Sequence, residues 1–126
     1  QFDNWVQMYV GRRPEQCGVC GHCMHQFVVE GNGNVYPCDF YCLDEWLLGN
    51  INSDELEAMA NSKKAADFTR ESLPVDPKCK ACRYYPLCRG GGCKRSRADR
   101  DYCEAYKKFF SSCLPLFRVF VDEANR

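Results

Sequence analysis

The sequence has 126 residues, with 17 Lys or Arg and 17 Asp or Glu, so its formal net charge is zero. A neutral chain has no overall charge to steer it toward nucleic acid or an anionic membrane. No apolar run approaches the roughly eighteen residues that span a bilayer, and the first residues lack the features of a signal peptide. We therefore expect a cytoplasmic monomer with no nucleic-acid or membrane partner.

The first ten residues predict the end of a helix. Apolar side chains recur there at helical spacing, at Phe2, Trp5, Val6 and Tyr9. Gly11 follows as a C-terminal cap. Because the chain also begins without Met, we expect residues 1–12 to be the tail of a helix that belongs to a preceding domain.

Residues 26–38, with the sequence QFVVEGNGNVYPC, predict a β-hairpin. Apolar residues stand on both sides of a Gly-Asn-Gly turn. The two strands bring Cys23 and Cys38 close together, which is the geometry that a shared metal site needs.

The segment after the hairpin predicts one or two short helices. Asn52 and Glu55 have the spacing of a capping pair, and a second helix starts at Ser62. Pro74 and Pro77 then mark a loop that leads into the second group of cysteines.

The last 27 residues predict an amphipathic helix. Its apolar side chains recur every three or four residues, and Pro115 should bend it because proline lacks a backbone N–H. Cys103 falls in the first turn of this helix.

The eleven cysteines decide the class of protein. They form two groups: Cys17, Cys20, Cys23, Cys38 and Cys42, then Cys79, Cys82, Cys88, Cys93, Cys103 and Cys113. Their number is odd and no signal peptide is seen, which argues against a disulfide framework. The run CKACRYYPLCRGGGC, or C-x2-C-x5-C-x4-C, indicates metal binding by thiolates. Zinc and iron-sulfur clusters both accept four thiolates, so both stay open at this point.

Together these elements predict a small α+β fold that is rich in cysteine and stabilised by metal. A β-hairpin is followed by short helices, a cysteine-rich loop and a C-terminal helix.

These motifs resemble the SPASM domain of radical SAM enzymes, and most closely that of the anaerobic sulfatase-maturating enzymes. That family carries C-x9-15-G-x4-C, then C-x2-C-x5-C-x3-C, then a last cysteine. Here Cys23, Gly33 and Cys38 match the first motif. The second begins with three cysteines at the same spacing, and Cys103 in DYCEAYKKFF supplies the last.

The resemblance implies two auxiliary 4Fe-4S clusters. One would be held by Cys17, Cys23, Cys38 and Cys93, and the other by Cys79, Cys82, Cys88 and Cys103. Four residues, RGGG, separate Cys88 from Cys93 where the family has three. Cys20 is the alternative ligand if Cys93 is displaced, and Cys42 and Cys113 have no assigned role.

The stretch VYPCDFY resembles the sulfatase maturases further, because they place an aspartate directly after this ligand as the proposed general base. The resemblance therefore implies that Asp39 is catalytic, buried beside a negatively charged cluster. The alternative is a structural role, as a cap at the end of the hairpin or an acceptor for backbone amides.

The reaction that the resemblance implies is the oxidation of a Cys or Ser in a sulfatase polypeptide to formylglycine. A 5'-deoxyadenosyl radical removes a hydrogen atom, Asp39 accepts a proton, and the clusters accept an electron. The radical requires a C-x3-C-x2-C motif, which this chain lacks. S-adenosyl-L-methionine would then bind only in the enzyme's own radical SAM domain, and this chain should be inactive alone.

The implied organisation has three parts: the helix tail over residues 1–12, a SPASM domain over residues 13–113 with two iron-sulfur sites, and a helical extension over residues 114–126. Two other functions are compatible with the cysteines. One is the SPASM domain of another peptide-modifying radical SAM enzyme, and the other is a zinc-stabilised binding module.

Overall fold

The computed structural model describes residues 1–98 and 101–126. In these ranges the chain forms a three-stranded antiparallel sheet and seven helices. The elements are α1 (Phe2–Tyr9), β1 (Val28–Val29), β2 (Asn34–Tyr36), β3 (Gly49–Asn50), α2 (Leu56–Ala60), α3 (Lys63–Glu71), α4 (Pro77–Lys80), α5 (Tyr85–Cys88), α6 (Lys94–Ala98) and α7 (Cys103–Ala124). None of these helices is long and apolar enough to cross a bilayer.

The described chain divides into two compact units. The first combines Gln1–Gly21 with Val75–Arg126, and the second is His22–Pro74. The first will be called the cavity unit and the second the sheet unit. The cavity unit holds eight of the eleven cysteines, and the sheet unit holds Cys23, Cys38 and Cys42.

The sheet unit contains the predicted hairpin. β1 pairs with β2 so that Val28 lies opposite Tyr36 and Val29 opposite Val35, which confirms the prediction. β3 pairs with the other edge of β2, and sequence reasoning did not predict this strand. Val35 and Tyr36 are buried, so β2 is the central strand and contributes to the core of this unit.

Gly33 occupies a backbone position that other residues adopt only with strain. Its φ is +88°, and a Cβ there would stand 2.7 Å from the Asn50 side-chain oxygen. We expect Gly33→Ala to destabilise the iron-loaded protein by about 1–2 kcal/mol or more, measured by urea denaturation. Gly31→Ala is the matched control, because a Cβ at Gly31 would meet nothing within 4 Å. Equal losses for the two variants would contradict this account of Gly33.

Of the two helix starts predicted in the sheet unit, the first is wrong and the second is confirmed. The capping pair of Asn52 and Glu55 is wrong, because α2 begins at Leu56 without a side-chain cap. Asn52 instead donates from its backbone and its side chain to the Asn50 side-chain oxygen. The predicted start at Ser62 is confirmed, since its hydroxyl accepts from the Ala65 N–H at 3.1 Å and α3 follows.

The cavity unit is built on α1 and α7. The predicted helix at residues 1–10 and the predicted long C-terminal helix are both present, and α7 continues through Pro115. The core of this unit consists of Trp5, Met8, Val19, Leu87, Phe110 and Phe117. The expected bend at Pro115 stays a prediction, and the expected domain end at residue 113 falls inside α7.

The second cysteine group is more regular than the predicted loop. Pro77 is the first residue of α4, where its missing N–H costs no hydrogen bond, and Asp76 caps that helix by accepting the Lys78 N–H at 2.9 Å. α5 follows and ends at Cys88. Short helical turns therefore fix the orientation of the cysteines.

Candidate metal centres

Four cysteines of the cavity unit line one cavity. They are Cys79, Cys82, Cys88 and Cys103, the four residues assigned above to one cluster. The cavity has a volume of about 390 Å³, many times the space that one water molecule occupies. Its size therefore suits a bound group of several atoms.

Local backbone geometry explains why these four side chains converge. Cys79 lies in α4, and its carbonyl accepts the Cys82 N–H at 3.1 Å, so the two cysteines stand at opposite ends of one turn. Cys88 ends α5 and Cys103 begins α7. Asp101 accepts the Cys103 N–H at 2.9 Å and so fixes the first residue of that helix.

Burial and nearby amides act in opposite directions on Cys88. Burial raises the pKa of its thiol, while the N–H groups of Gly91 and Gly90 lower it. Burial also raises the pKa of the Cys79 thiol, and the charges of Asp76 and Cys103 add to the rise. These thiols must lose protons to bind iron, which the positive charge of the metal favours.

Three cations line the cavity, and no carboxylate does so among residues 1–98 and 101–126. They are Lys78, Arg83 and Lys107. Lys78 is held by Asp101 at 3.2 Å, and Lys107 is held by Glu104 at 2.9 Å. Cations in this place would balance part of the negative charge of four thiolates.

The two units have net charges of opposite sign, although the whole chain is neutral. The sheet unit has nine Asp and Glu against three Lys and Arg, whereas the cavity unit has eight against fourteen. The excess of cations thus accompanies most of the cysteines. Arg100, which belongs to the basic segment that follows Cys88, lies outside the described residues.

Cys17 and Cys93, two predicted ligands of the other cluster, lie on adjoining backbone segments of the cavity unit. Cys17 begins a single 3₁₀ turn, Cys17–Val19, and the Cys93 N–H donates to the Gly18 carbonyl at 3.1 Å. Gly92 allows this approach, since a Cβ on it would collide with the same carbonyl. The Cys93 thiol contacts the Ser96 hydroxyl at 3.4 Å.

Cys23 and Cys38, the other two predicted ligands of that cluster, lie in the sheet unit, close enough for their thiols to interact electrostatically. Burial raises the pKa of the Cys38 thiol to about 11, and Asp39 and Cys23 add to the rise. The Cys23 N–H donates at 2.7 Å to the hydroxyl of Ser72, which is fully buried. The four residues of this set thus form two pairs that belong to different units, and the complete set stays a prediction.

Asp39 lies directly beside the Cys38 sulfur. The Cys38 thiol donates to the Asp39 carboxylate at 3.4 Å. In the described residues that carboxylate accepts no backbone amide, so the alternative structural role has no support there. The expected burial of Asp39 is wrong for this chain, because the 3₁₀ turn Asp39–Tyr41 places it at the exposed surface.

The three remaining cysteines each contact residues of their own unit. Cys20 is buried and its thiol donates to the Gln16 carbonyl at 3.6 Å. The Cys42 thiol contacts the carbonyls of Cys38 and Asp39, both at 3.7 Å. Cys113 packs against the core of the cavity unit.

No three His, Cys, Asp or Glu side chains in residues 1–98 and 101–126 stand close enough to hold a single metal ion. The four cavity cysteines nevertheless supply the all-thiolate donor set of a 4Fe-4S cluster. A cluster is larger than one ion and takes its thiolates further apart. The donor set and the cavity therefore fit such a group.

The family model described as the SPASM iron-sulfur cluster-binding domain matches residues 17–83 of the chain. The chain belongs to the SPASM family. Its SPASM domain is thus an iron-sulfur cluster-binding domain. The number of clusters that it binds depends on how many sets of four cysteines it brings together.

Relatives of this SPASM domain are anaerobic sulfatase-maturating enzymes. A cysteine-type enzyme from Clostridium perfringens is 40% identical over 121 residues, which are 90% of this chain and 33% of the enzyme. A serine-type enzyme from Bacteroides thetaiotaomicron is 32% identical over 126 residues, which are 90% of this chain and 30% of the enzyme. The chain therefore spans about a third of the length of the curated relatives it matches.

Solved structures agree with this relationship. The structure of native anSMEcpe with bound AdoMet and the Cp18Cys peptide matches with a TM-score of 0.88 and 35% identity. The match covers 98% of this chain and 36% of that one. The same protein with bound AdoMet and the Kp18Cys peptide gives a TM-score of 0.86 and 37% identity. The SPASM fold predicted from the motifs is confirmed.

Sequence reasoning missed several residues of the cavity. Tyr106 and Lys107 line it, and each lies one helical turn after Cys103. The helical spacing of three and four residues could have found both. Burial and the neighbouring Cys88 raise the pKa of the Tyr106 phenol, so this side chain is expected to stay neutral beside the sulfur.

Proposed function

We propose that this chain is the auxiliary iron-sulfur domain of a radical SAM sulfatase maturase. The observation that carries the proposal is the convergence of Cys79, Cys82, Cys88 and Cys103 on one cavity in a SPASM domain. Those residues would hold one 4Fe-4S cluster. Cys17, Cys23, Cys38 and Cys93 would hold a second.

Two features support the second cluster. Cys23 precedes β1 and Cys38 follows β2, the strand paired with it, and the two thiols interact electrostatically. Gly92 lets the Cys93 backbone approach the Cys17 turn, so the extra residue between Cys88 and Cys93 need not displace Cys93. Cys20 is a poorer candidate than Cys93, because its buried thiol already donates to a carbonyl.

Asp39 is the base in this proposal. Clusters held by these cysteines supply sites that accept one electron. Once Cys38 is a ligand it has no proton to donate, so the Asp39 carboxylate loses the partner it has at 3.4 Å. That oxygen then becomes available to accept a proton from the sulfur or oxygen of a substrate side chain.

The substrate in this proposal is a sulfatase polypeptide, and the other partner is the enzyme's own radical SAM domain. That domain would bind S-adenosyl-L-methionine, which native anSMEcpe also binds. Identity is higher with a cysteine-type relative, at 40%, than with the serine-type ones, at 32% or less, which favours a cysteine target. The cytoplasmic location, the monomeric state and the three-part domain division belong to the same proposal.

Metal analysis under strict anaerobiosis tests the proposed function. We expect about eight irons and about eight sulfides per chain after reconstitution, as two 4Fe-4S clusters require, with broad absorbance near ~400 nm. The same preparation without iron serves as the control. Zinc bound in place of iron, with no visible absorbance, would refute the proposal and identify a zinc-stabilised module.

A further inference from the structure

Four successive residues between Cys88 and Cys93 have positive φ. The angles are 49° at Arg89, 74° at Gly90, 91° at Gly91 and 93° at Gly92. Glycine adopts such angles freely, but a residue with a Cβ is strained there. In the described residues Arg89 is the one residue other than glycine with positive φ, and it directly follows a cavity cysteine.

The side chain of Arg89 holds this strained conformation. Its Nη1 donates to the Cys20 carbonyl at 3.1 Å, and its Nε donates to the Pro86 carbonyl at 3.4 Å. The backbone of Gly21 packs against it, since a Cβ at Gly21 would stand 2.6 Å from the Arg89 Cβ. Strain that is held by specific contacts beside a functional cysteine points to a use for the conformation.

The left-handed turn aims backbone amides at Cys88. Arg89 is the C-cap of α5, and the chain then reverses so that the Gly91 N–H donates to the Cys88 carbonyl at 3.1 Å. The backbone N–H groups of Gly91 and Gly90 also hydrogen-bond to the Cys88 sulfur. Successive amides in such turns form a concave site that stabilises negative charge.

We propose that Arg89 is a positioning residue for the metal site: its left-handed backbone, held by the Cys20 carbonyl, directs the amides of Gly90 and Gly91 at the Cys88 sulfur. Hydrogen bonds to cluster-ligating sulfur stabilise the more negative, reduced state and so raise the reduction potential. The inference rests on the proposed function, because it requires a cluster held by Cys88.

Two substitutions separate the backbone from the charge. Arg89→Gly and Arg89→Ala remove the same guanidinium, but only glycine adopts the left-handed conformation without strain. In the reconstituted full-length enzyme, a potentiometric titration followed by electron paramagnetic resonance should place the Arg89→Ala cluster at a lower potential than wild type. The Arg89→Gly cluster should lie closer to wild type.

Each outcome decides the inference. A lower potential in Arg89→Ala than in Arg89→Gly supports it, as does a loss of iron from the alanine variant alone. Equal potentials in the two variants overturn it, because the guanidinium rather than the backbone would then matter, or neither would. Wild-type protein without iron would instead refute the proposed function, so the two failures are distinguishable.

Discussion

Replacing Cys88 with alanine is expected to reduce the iron content from about eight to about four per chain, because one of two four-iron clusters loses a ligand. Cys88, one of the proposed ligands, is the last residue of α5 and lines the cavity. Among the described residues that line the cavity, the other cysteines are Cys79, Cys82 and Cys103, which are already assigned to the same cluster. Iron and sulfide are measured after anaerobic reconstitution.

Cys113→Ala is the matched control for this experiment. Cys113 belongs to the same unit and is also partly buried, but it packs against the core rather than lining the cavity. We expect it to retain the full iron content. Equal iron content in the Cys88→Ala variant and the wild-type protein would show that the cavity does not hold a cluster in the proposed way.

Asp39→Asn is expected to slow formylglycine formation in the full-length enzyme by roughly 10²–10⁴-fold, the usual contribution of a general base. Asparagine keeps the size of the side chain but cannot accept the proton. Transfer from a resting thiol to an ordinary carboxylate is uphill by roughly 6 kcal/mol. The proton is therefore expected to move only after the adjacent carbon has lost its hydrogen atom, when the S–H group is more acidic.

The measurement is the rate at which a substrate peptide gains the aldehyde, followed by mass spectrometry, together with iron content and cleavage of S-adenosyl-L-methionine. Asp44→Asn is the control, since Asp44 is another exposed carboxylate of the sheet unit. Unchanged iron with a large loss of aldehyde is the expected pattern. Wild-type rates in Asp39→Asn would exclude this residue as the base.

The elements that sequence could predict are those set by local chemistry. The hairpin follows from its Gly-Asn-Gly turn, and α3 follows from the Ser62 cap. The long periodic segment gave α7 for the same reason, because its apolar repeat is sustained over the whole helix.

The elements that sequence could not predict depend on contacts between distant residues. β3 consists of Gly49 and Asn50, neither of which favours strands. It forms because the Asn50 side chain donates to the Asn32 carbonyl and the Asn34 side chain, both at 3.0 Å. The same Asn50 binds Asn52 and so removes it from the predicted helix cap.

The candidate site also has some features that the sequence predicts and others that it does not. The resemblance to the SPASM family implied the four cavity cysteines as one set, and the structure places them around one cavity. Spacing carries no information on solvent exposure, so the exposed position of Asp39 in this chain could not be predicted. It also carries none on backbone strain, so the left-handed conformation of Arg89 could not be predicted.

Helix α7 contributes both to the candidate metal site and to the hydrophobic core. Its first residue is the cavity cysteine Cys103, and the same helix contributes Phe110 and Phe117, both fully buried, to the core. Any ligand that binds only the folded state adds to folding stability by mass action. Exposure to oxygen that destroys a cluster at Cys103 would consequently loosen the hydrophobic core, so damage to the cofactor would appear as a fall in melting temperature.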